Sequence, residues 1–157
     1  MSAMLLLAVL VFGPADAAQP RSLALPQFGL IDAMRELSSE ESRRETDRRL
    51  ALVSAELARQ LEVRRMHRVL KSSHEPRGCN GCEIDVAKAL GAERVALCWV
   101  QKVSNLILNL NIEVLSVATG ETVYAKSVDI RGNTDESWLR GVRRLVDNIE
   151  ERNHHLR

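Results

Sequence analysis

Aromatic side chains are scarce in this 157-residue chain, which holds two Trp, one Tyr and two Phe. So few rings exclude the stacking platforms that hold single-stranded nucleic acid. An excess of one charge is missing too, since Lys plus Arg number 22 against Asp plus Glu 21. Without a basic footprint no nucleic-acid partner is expected. Histidine occurs at His67, His74, His154 and His155 alone, and no G-x-S-x-G, H-E-x-x-H, P-loop or dinucleotide fingerprint is present. The commonest hydrolase, zinc-protease and nucleotide-binding chemistries therefore have no signature, and no cofactor or catalytic set is expected. Beyond the first residues no apolar run is long enough to cross a bilayer, so an integral membrane protein is not expected either.

What is present begins with an apolar run from Met4 to Phe12, a Gly-Pro break and the small-residue site Ala15-Asp16-Ala17. That is the pattern of a cleavable secretory signal peptide over residues 1–18, without a cysteine at the cleavage site for lipid modification. The expected location is the periplasm. Residues 19–150 then make one α/β domain with one core, a comfortable length for it, and residues 151–157 a polar tail.

The stretch Ser22 to Ala33 is apolar and β-favouring, with Pro26 pointing to an edge or irregular position. Ser38 and Glu41 are spaced as a capping box ahead of a helix whose stripe is Leu50, Val53, Leu57 and Leu61. Its other face carries Arg43, Arg44, Arg48, Arg49 and Arg59, balanced at helical spacing by Glu40, Glu41, Glu45, Asp47 and Glu56. A weak strand is expected at Arg65 to Leu70 and a breaker-rich loop at Ser72 to Gly78. A short helix follows from Cys82 to a left-handed cap at Gly91. Three strands come next, the middle one alternating Leu106, Leu108, Leu110, Ile112 and Val114 with Asn109, Asn111 and Glu113. Strict alternation marks a half-buried antiparallel strand. Val103 to Asn105 and Ala118 to Glu121 read as the turns of a meander. Asn133 and Glu136 are spaced as the cap of a last helix, Asp135 to about Ile149, with Trp138, Val142, Leu145, Val146 and Ile149 as its buried stripe. The expected order is β-α-β-α-β-β-β-α: an α/β (α+β) two-layer sandwich on a mixed sheet ending in a three-stranded antiparallel meander.

The segments C-N-G-C-E-I-D-V-A-K-A-L-G-A, W-V-Q-K-V-S-N-L-I-L-N-L-N-I and D-I-R-G-N-T-D-E-S-W-L-R-G resemble an exported bacterial family of unknown function, the DUF3280 group with its DUF2380 relatives. The resemblance covers almost the whole chain after the leader. It implies a small periplasmic protein, in some relatives linked to quinoprotein alcohol oxidation. The element order is also similar to the amino-terminal domain of the Tol-system protein TolB, a likeness of fold that leaves function open.

Several groups of residues invite a chemical reading. Cys79 and Cys82 form a C-x-x-C pair, expected to be a structural disulfide in an oxidising compartment. The alternative is a redox pair, because a helix start stabilises a thiolate, but no proline follows Pro76 to face the disulfide as in thioredoxin-like proteins. Zinc would have to draw on Cys79, Cys82, Cys98 and His74, yet Cys98 lies in an apolar strand and reads as a buried free thiol. Asp129, Asn133, Asp135 and Glu136 offer oxygen ligands, but Arg131, Thr134 and Arg140 occupy the wrong positions for a calcium-binding EF-hand loop. A capped turn with Arg131 paired to a carboxylate is expected instead. Trp99, Gln101 and Lys102 lie near a hairpin end, and Gln101, Asn105, Asn109 and Asn111, if they share an exposed sheet face, could hold a peptide or another domain, against the plainer expectation of an ordinary solvated face. The expected function is therefore a non-enzymatic periplasmic accessory or binding protein that engages an envelope partner through its sheet face or through the arginine-rich helix. A thiol-disulfide protein and a metal-binding protein stand as alternatives.

Overall fold

The computed structural model describes residues 20–72 and 81–155, with side chains described to residue 151. The signal-peptide segment, Cys79 and His74 lie outside the described residues. The elements in chain order are β1 (Ser22–Pro26), β2 (Gly29–Ile31), a 3-10 turn (Arg35–Leu37), α1 (Glu40–Val63), β3 (Arg68–Ser72), α2 (Cys82–Ala89), β4 (Arg94–Lys102), β5 (Ile107–Ser116), β6 (Thr122–Arg131) and α3 (Asp135–His155).

The sheet is mixed, in the order β3-β1-β4-β5-β6, with β2 beside the later half of β4. β1 runs parallel to β3 and β4, β2 parallel to β4, and β4, β5 and β6 form the expected antiparallel meander. One face carries the main core. There Leu23 and Leu25 of β1, Ala96, Cys98 and Val100 of β4, and Leu108, Leu110, Ile112 and Val114 of β5 meet Val53, Leu57 and Leu61 of α1 and Trp138, Val142, Leu145 and Val146 of α3. Each Leu, Ile or Val among them contributes about 1.5–3 kcal/mol when fully buried. The short α2 lies against the opposite face, where Ala87 and Ile84 pack with Ala24, Val95 and Leu115.

Several expected boundaries move. The strand expected from Ser22 to Ala33 is broken after Pro26, because proline has no amide hydrogen to extend the ladder. Phe28 turns into the core with its amide donating to Ser54 Oγ at 2.9 Å. β1 is interior rather than an edge. The α1 cap is Ser39, whose hydroxyl accepts from the Ser42 amide at 3.2 Å. Ser38 instead donates to the carbonyl of Met34. The strand expected at Arg65 starts at Arg68, since Arg65 takes a positive φ of 53° to leave the helix. The α3 cap is a reciprocal Thr134–Ser137 pair, with both side-chain oxygens accepting each other's amides at 3.2 and 3.1 Å. Asn133 and Glu136 do not make it. The helix also continues past Ile149 to His155.

Candidate functional site

Successive strand residues face opposite sides of a sheet, so the register sorts the expected site residues by face. Ile31 aligns with Gln101, Gln101 with Asn109 and Asn109 with Asp129. The next row on the same face is Gly29, Trp99, Asn111 and Ser127, and one row towards the hairpin tip Ile107 lies opposite Arg131. This is the face on which α2 packs, but α2 reaches only the early part of β4. Among the described residues no helix covers it from Trp99 onwards.

The polar side chains of this half-face are held by one another. Asn109 Nδ2 donates to Asp129 Oδ1 and accepts at its own Oδ1 from the Ser127 hydroxyl. Asn111 Nδ2 donates to the backbone oxygen of Asn109 at 3.2 Å. Asn111 is buried rather than exposed, retaining 9% of its surface, because Trp99 lies opposite it in the register. Side chains fixed before contact lose little rotamer entropy on binding, so such a surface is preorganised.

Apolar residues surround its outer end. Ile107 and Ile31 are 47% and 39% exposed, and Val103 and Leu106 in the β4–β5 turn are 66% and 70% exposed. In that turn the Ser104 hydroxyl accepts from the amides of Leu106 and Ile107 at 3.2 and 3.1 Å, which fixes how these residues are presented. Ile31 escaped the sequence reading because β2 pairs with β4, some seventy positions further along the chain, and Ile107 and Ser127 were not singled out in the alternation.

Lys102 is not part of the exposed surface. Its ammonium lies 3.3 Å from Asp32 Oδ2, with the two side chains only 7% and 5% exposed, and the pair ties the end of β2 to the end of β4. Asp32 could not be singled out from sequence, since nothing local pairs it with a lysine seventy positions away. Asn105 is exposed in the turn beyond the sheet.

Asn133, Asp135 and Glu136 do not join the face. Asn133 Oδ1 accepts from Trp138 Nε1 at 2.9 Å and from Arg49 at 3.3 Å. Asp135 takes Arg48 at 2.5 Å and Arg49 at 2.9 Å, so its carboxyl is held below the usual range by those hydrogen bonds. Glu45 is likewise lowered, chiefly by Arg48. The arginine face of α1 is thus partly a clamp on the start of α3, with Arg49 only 13% exposed, as well as a solvated face with helix-spaced pairs such as Arg59–Glu56 at 2.8 Å. Glu136 pairs with Arg143 at 2.7 Å. Among the described residues no ion pair reaches Arg131, in contrast to the pairing expected for it.

Cys82 opens α2. Cys98 is a buried free thiol in β4, and burial pushes its pKa up. Among the described residues no three His, Cys, Asp or Glu side chains group as a metal site. No described helix is long and apolar enough to cross a membrane.

Comparison with known proteins adds the following. The profile of the family DUF3280, described as "Protein of unknown function (DUF2380)", matches residues 21–149. No curated protein matches the chain. Among solved structures, the PelC dodecamer from Paraburkholderia phytofirmans is similar at 11% identity and a TM-score of 0.55, over 80% of this chain and 84% of that one. Lipoprotein GNA1162 from Neisseria meningitidis is similar at 17% identity and a TM-score of 0.47, over 83% and 97%. TolB from Acinetobacter baumannii is similar at 11% identity and 0.45, over 74% of this chain and 25% of that one.

Proposed function

Because the chain belongs to the DUF3280 family, whose description assigns no chemistry, we propose from its own surface that it is a periplasmic accessory protein that binds an envelope protein. The carrying observation is the half-face from Trp99 to Arg131, polar and prearranged in its centre and apolar at its outer end. Hydrogen-bonding groups set among exposed isoleucine and leucine side chains suit a protein surface better than a small polar ligand. Support for the compartment comes from the leader pattern in residues 1–18, and for assembly on this fold from the PelC protein, solved as a dodecamer. Where the resemblance extends to relatives linked to quinoprotein alcohol oxidation, the first partner to test is a component of that system.

Photocrosslinking in intact cells tests the reading. A photoreactive residue at Gln101 or Ile107 is expected to give one discrete adduct with an envelope protein. The same residue at Arg59, on the far side of the domain, is expected to give none. Equal adducts from all three positions, or none from any, would sink it.

In the same reading Cys79 and Cys82 are a staple that secures the start of α2. One observation supports this: Cys98 is accounted for as the buried free thiol, which leaves the two cysteines of the C-x-x-C to pair with each other. Thiol trapping across a graded redox buffer checks it. The expected result is one thiol reactive only after denaturation and a pair that resists reduction at the potentials of catalytic dithiols, on the order of −120 to −270 mV. Reversible reduction within that range with the fold intact would favour the redox alternative.

A further inference from the structure

At the opposite end of the sheet from the β4–β5 turn, a cavity of about 510 Å³ opens between the carboxyl end of α2, the start of β4 and the β5–β6 connection. Arg21, Lys88, Glu93 and Arg94 line it, with Val117 and Val123 as its apolar wall. Arg21 is held in place through its backbone, whose carbonyl accepts from the Arg68 amide at 3.1 Å and lies 3.3 Å from His67 Nδ1. Arg94 is fixed as the first residue of β4, in register with Leu23.

The one carboxylate in the lining is already engaged. Glu93 Oε2 accepts from the Ser22 amide at 2.9 Å and stands 3.3 Å from the Ser22 hydroxyl, which itself accepts from the Glu93 amide at 3.0 Å. Lys88 has only a loose contact with Asp85, at 4.0 Å and well exposed. The Ser22 hydrogen bonds lower the Glu93 pKa and Arg21 and Arg94 add to this at longer range, although among the described residues neither guanidinium forms a close ion pair with it. Arg94 is half-buried, and its desolvation together with the like charge of Arg21 depresses its pKa. Arg21, Arg94 and Lys88 thus line one opening with a single, committed carboxylate among them. Guanidinium groups that outnumber the carboxylate in a concave site match the geometry and charge of a phosphate, which accepts bidentate hydrogen bonds.

We propose that this cavity binds a phosphate dianion, either inorganic phosphate or the terminal phosphate of an ester. Arg21 and Arg94 supply the directional hydrogen bonds and Lys88 adds charge, while Val117 and Val123 leave room for an apolar group on the ester side. The site is separate from the sheet half-face and does not depend on the partner proposed for it.

Calorimetric titration of the exported protein with inorganic phosphate at constant ionic strength is the test. Saturable binding is expected, weakened roughly ten- to a hundredfold by Arg94→Gln and by Arg21→Gln, the range for loss of a charge-assisted hydrogen bond. Glu93→Gln, which removes the only opposing charge while leaving an oxygen for Ser22, is expected to tighten binding. Arg44→Gln on the outer surface of α1 is the control and leaves binding unchanged. Thermal melting of each variant separates lost binding from lost fold. Absence of saturable binding by the folded wild type, an equal loss with Arg44→Gln, or no gain with Glu93→Gln overturns the proposal. Flotation with phosphatidylcholine vesicles, with and without phosphatidic acid, distinguishes the source. Capture by phosphatidic acid that inorganic phosphate competes away assigns a lipid phosphate, and phosphate binding without vesicle capture assigns a soluble one.

Discussion

His67 follows α1 in the chain and is only 7% exposed. Burial lowers its pKa, and the nearby charges of Arg94 and Arg21 act in the same direction against the carbonyl of Arg21. A histidine kept neutral in the fold but free to protonate when unfolded makes the unfolded state bind more protons as pH drops. Stability then falls with decreasing pH, starting near the unperturbed value of about 6.5 and continuing down to the lowered folded value. The depressed carboxylates, among them Glu56 at about 2 beside Arg59, lose their contribution in a more acid window, from the ordinary carboxylate value down to the lowered one. Urea midpoints measured between neutral pH and mild acid are expected to decline in the wild type and to run flatter in His67→Gln. Parallel profiles would show that another group titrates there. Individual residues were the least legible scale in the sequence. Gln101 and Asn109 were grouped on one face by alternation, whereas Trp99 was placed only near the hairpin end. Lys102 was misplaced because its partner, Asp32, comes from a distant loop, and Asn111 because its burial depends on what lies opposite it.

At the scale of elements, α3 shows how closely a helix is set on this sheet. Gly141 lies in its buried face, and a Cβ built there would stand 2.6 Å from Ile130 Cγ2 and 3.1 Å from Leu110 Cδ2. Glycine inside a helix costs about 1 kcal/mol relative to alanine, and here that cost permits the close approach. Gly141→Ala gains the helical propensity but must push β5 and β6 away, an overpacking penalty of about 1–3 kcal/mol. A net loss of about 1 kcal/mol is expected in denaturant unfolding, and a gain would mean that Ile130 rotates aside freely. The helices and the meander were legible from periodicity, since α1 and α3 are long and β5 alternates without a break. The side of the sheet on which α2 packs was not. Its eight residues bury only Ala87 fully, too little of a stripe to indicate a face. Nor was the break at Pro26 and Gln27, where apolar residues continue on both sides.

For the whole molecule, the order of elements was legible and the order of strands was not. Sequence gives local pattern, whereas β1 sits between β3 and β4, partners drawn from far along the chain. The open half-face follows from that layout: α1 and α3 fill one side, and α2, attached just before β4, reaches only the nearer part of the other.

The central position of β1 also bears on how the domain assembles in time. Its residues pair with Arg68 to Ser72 on one side and with Arg94 and Val95 on the other. By contrast, β4, β5, β6 and α3 are consecutive, joined by short turns, and close only short loops as they pair. Local contacts form before distant ones because closing a long loop costs entropy ahead of any gain. β1 precedes both of its partners and stays apolar and unpaired until β3 and the start of β4 have followed it, and during that interval a holding chaperone would find a target there.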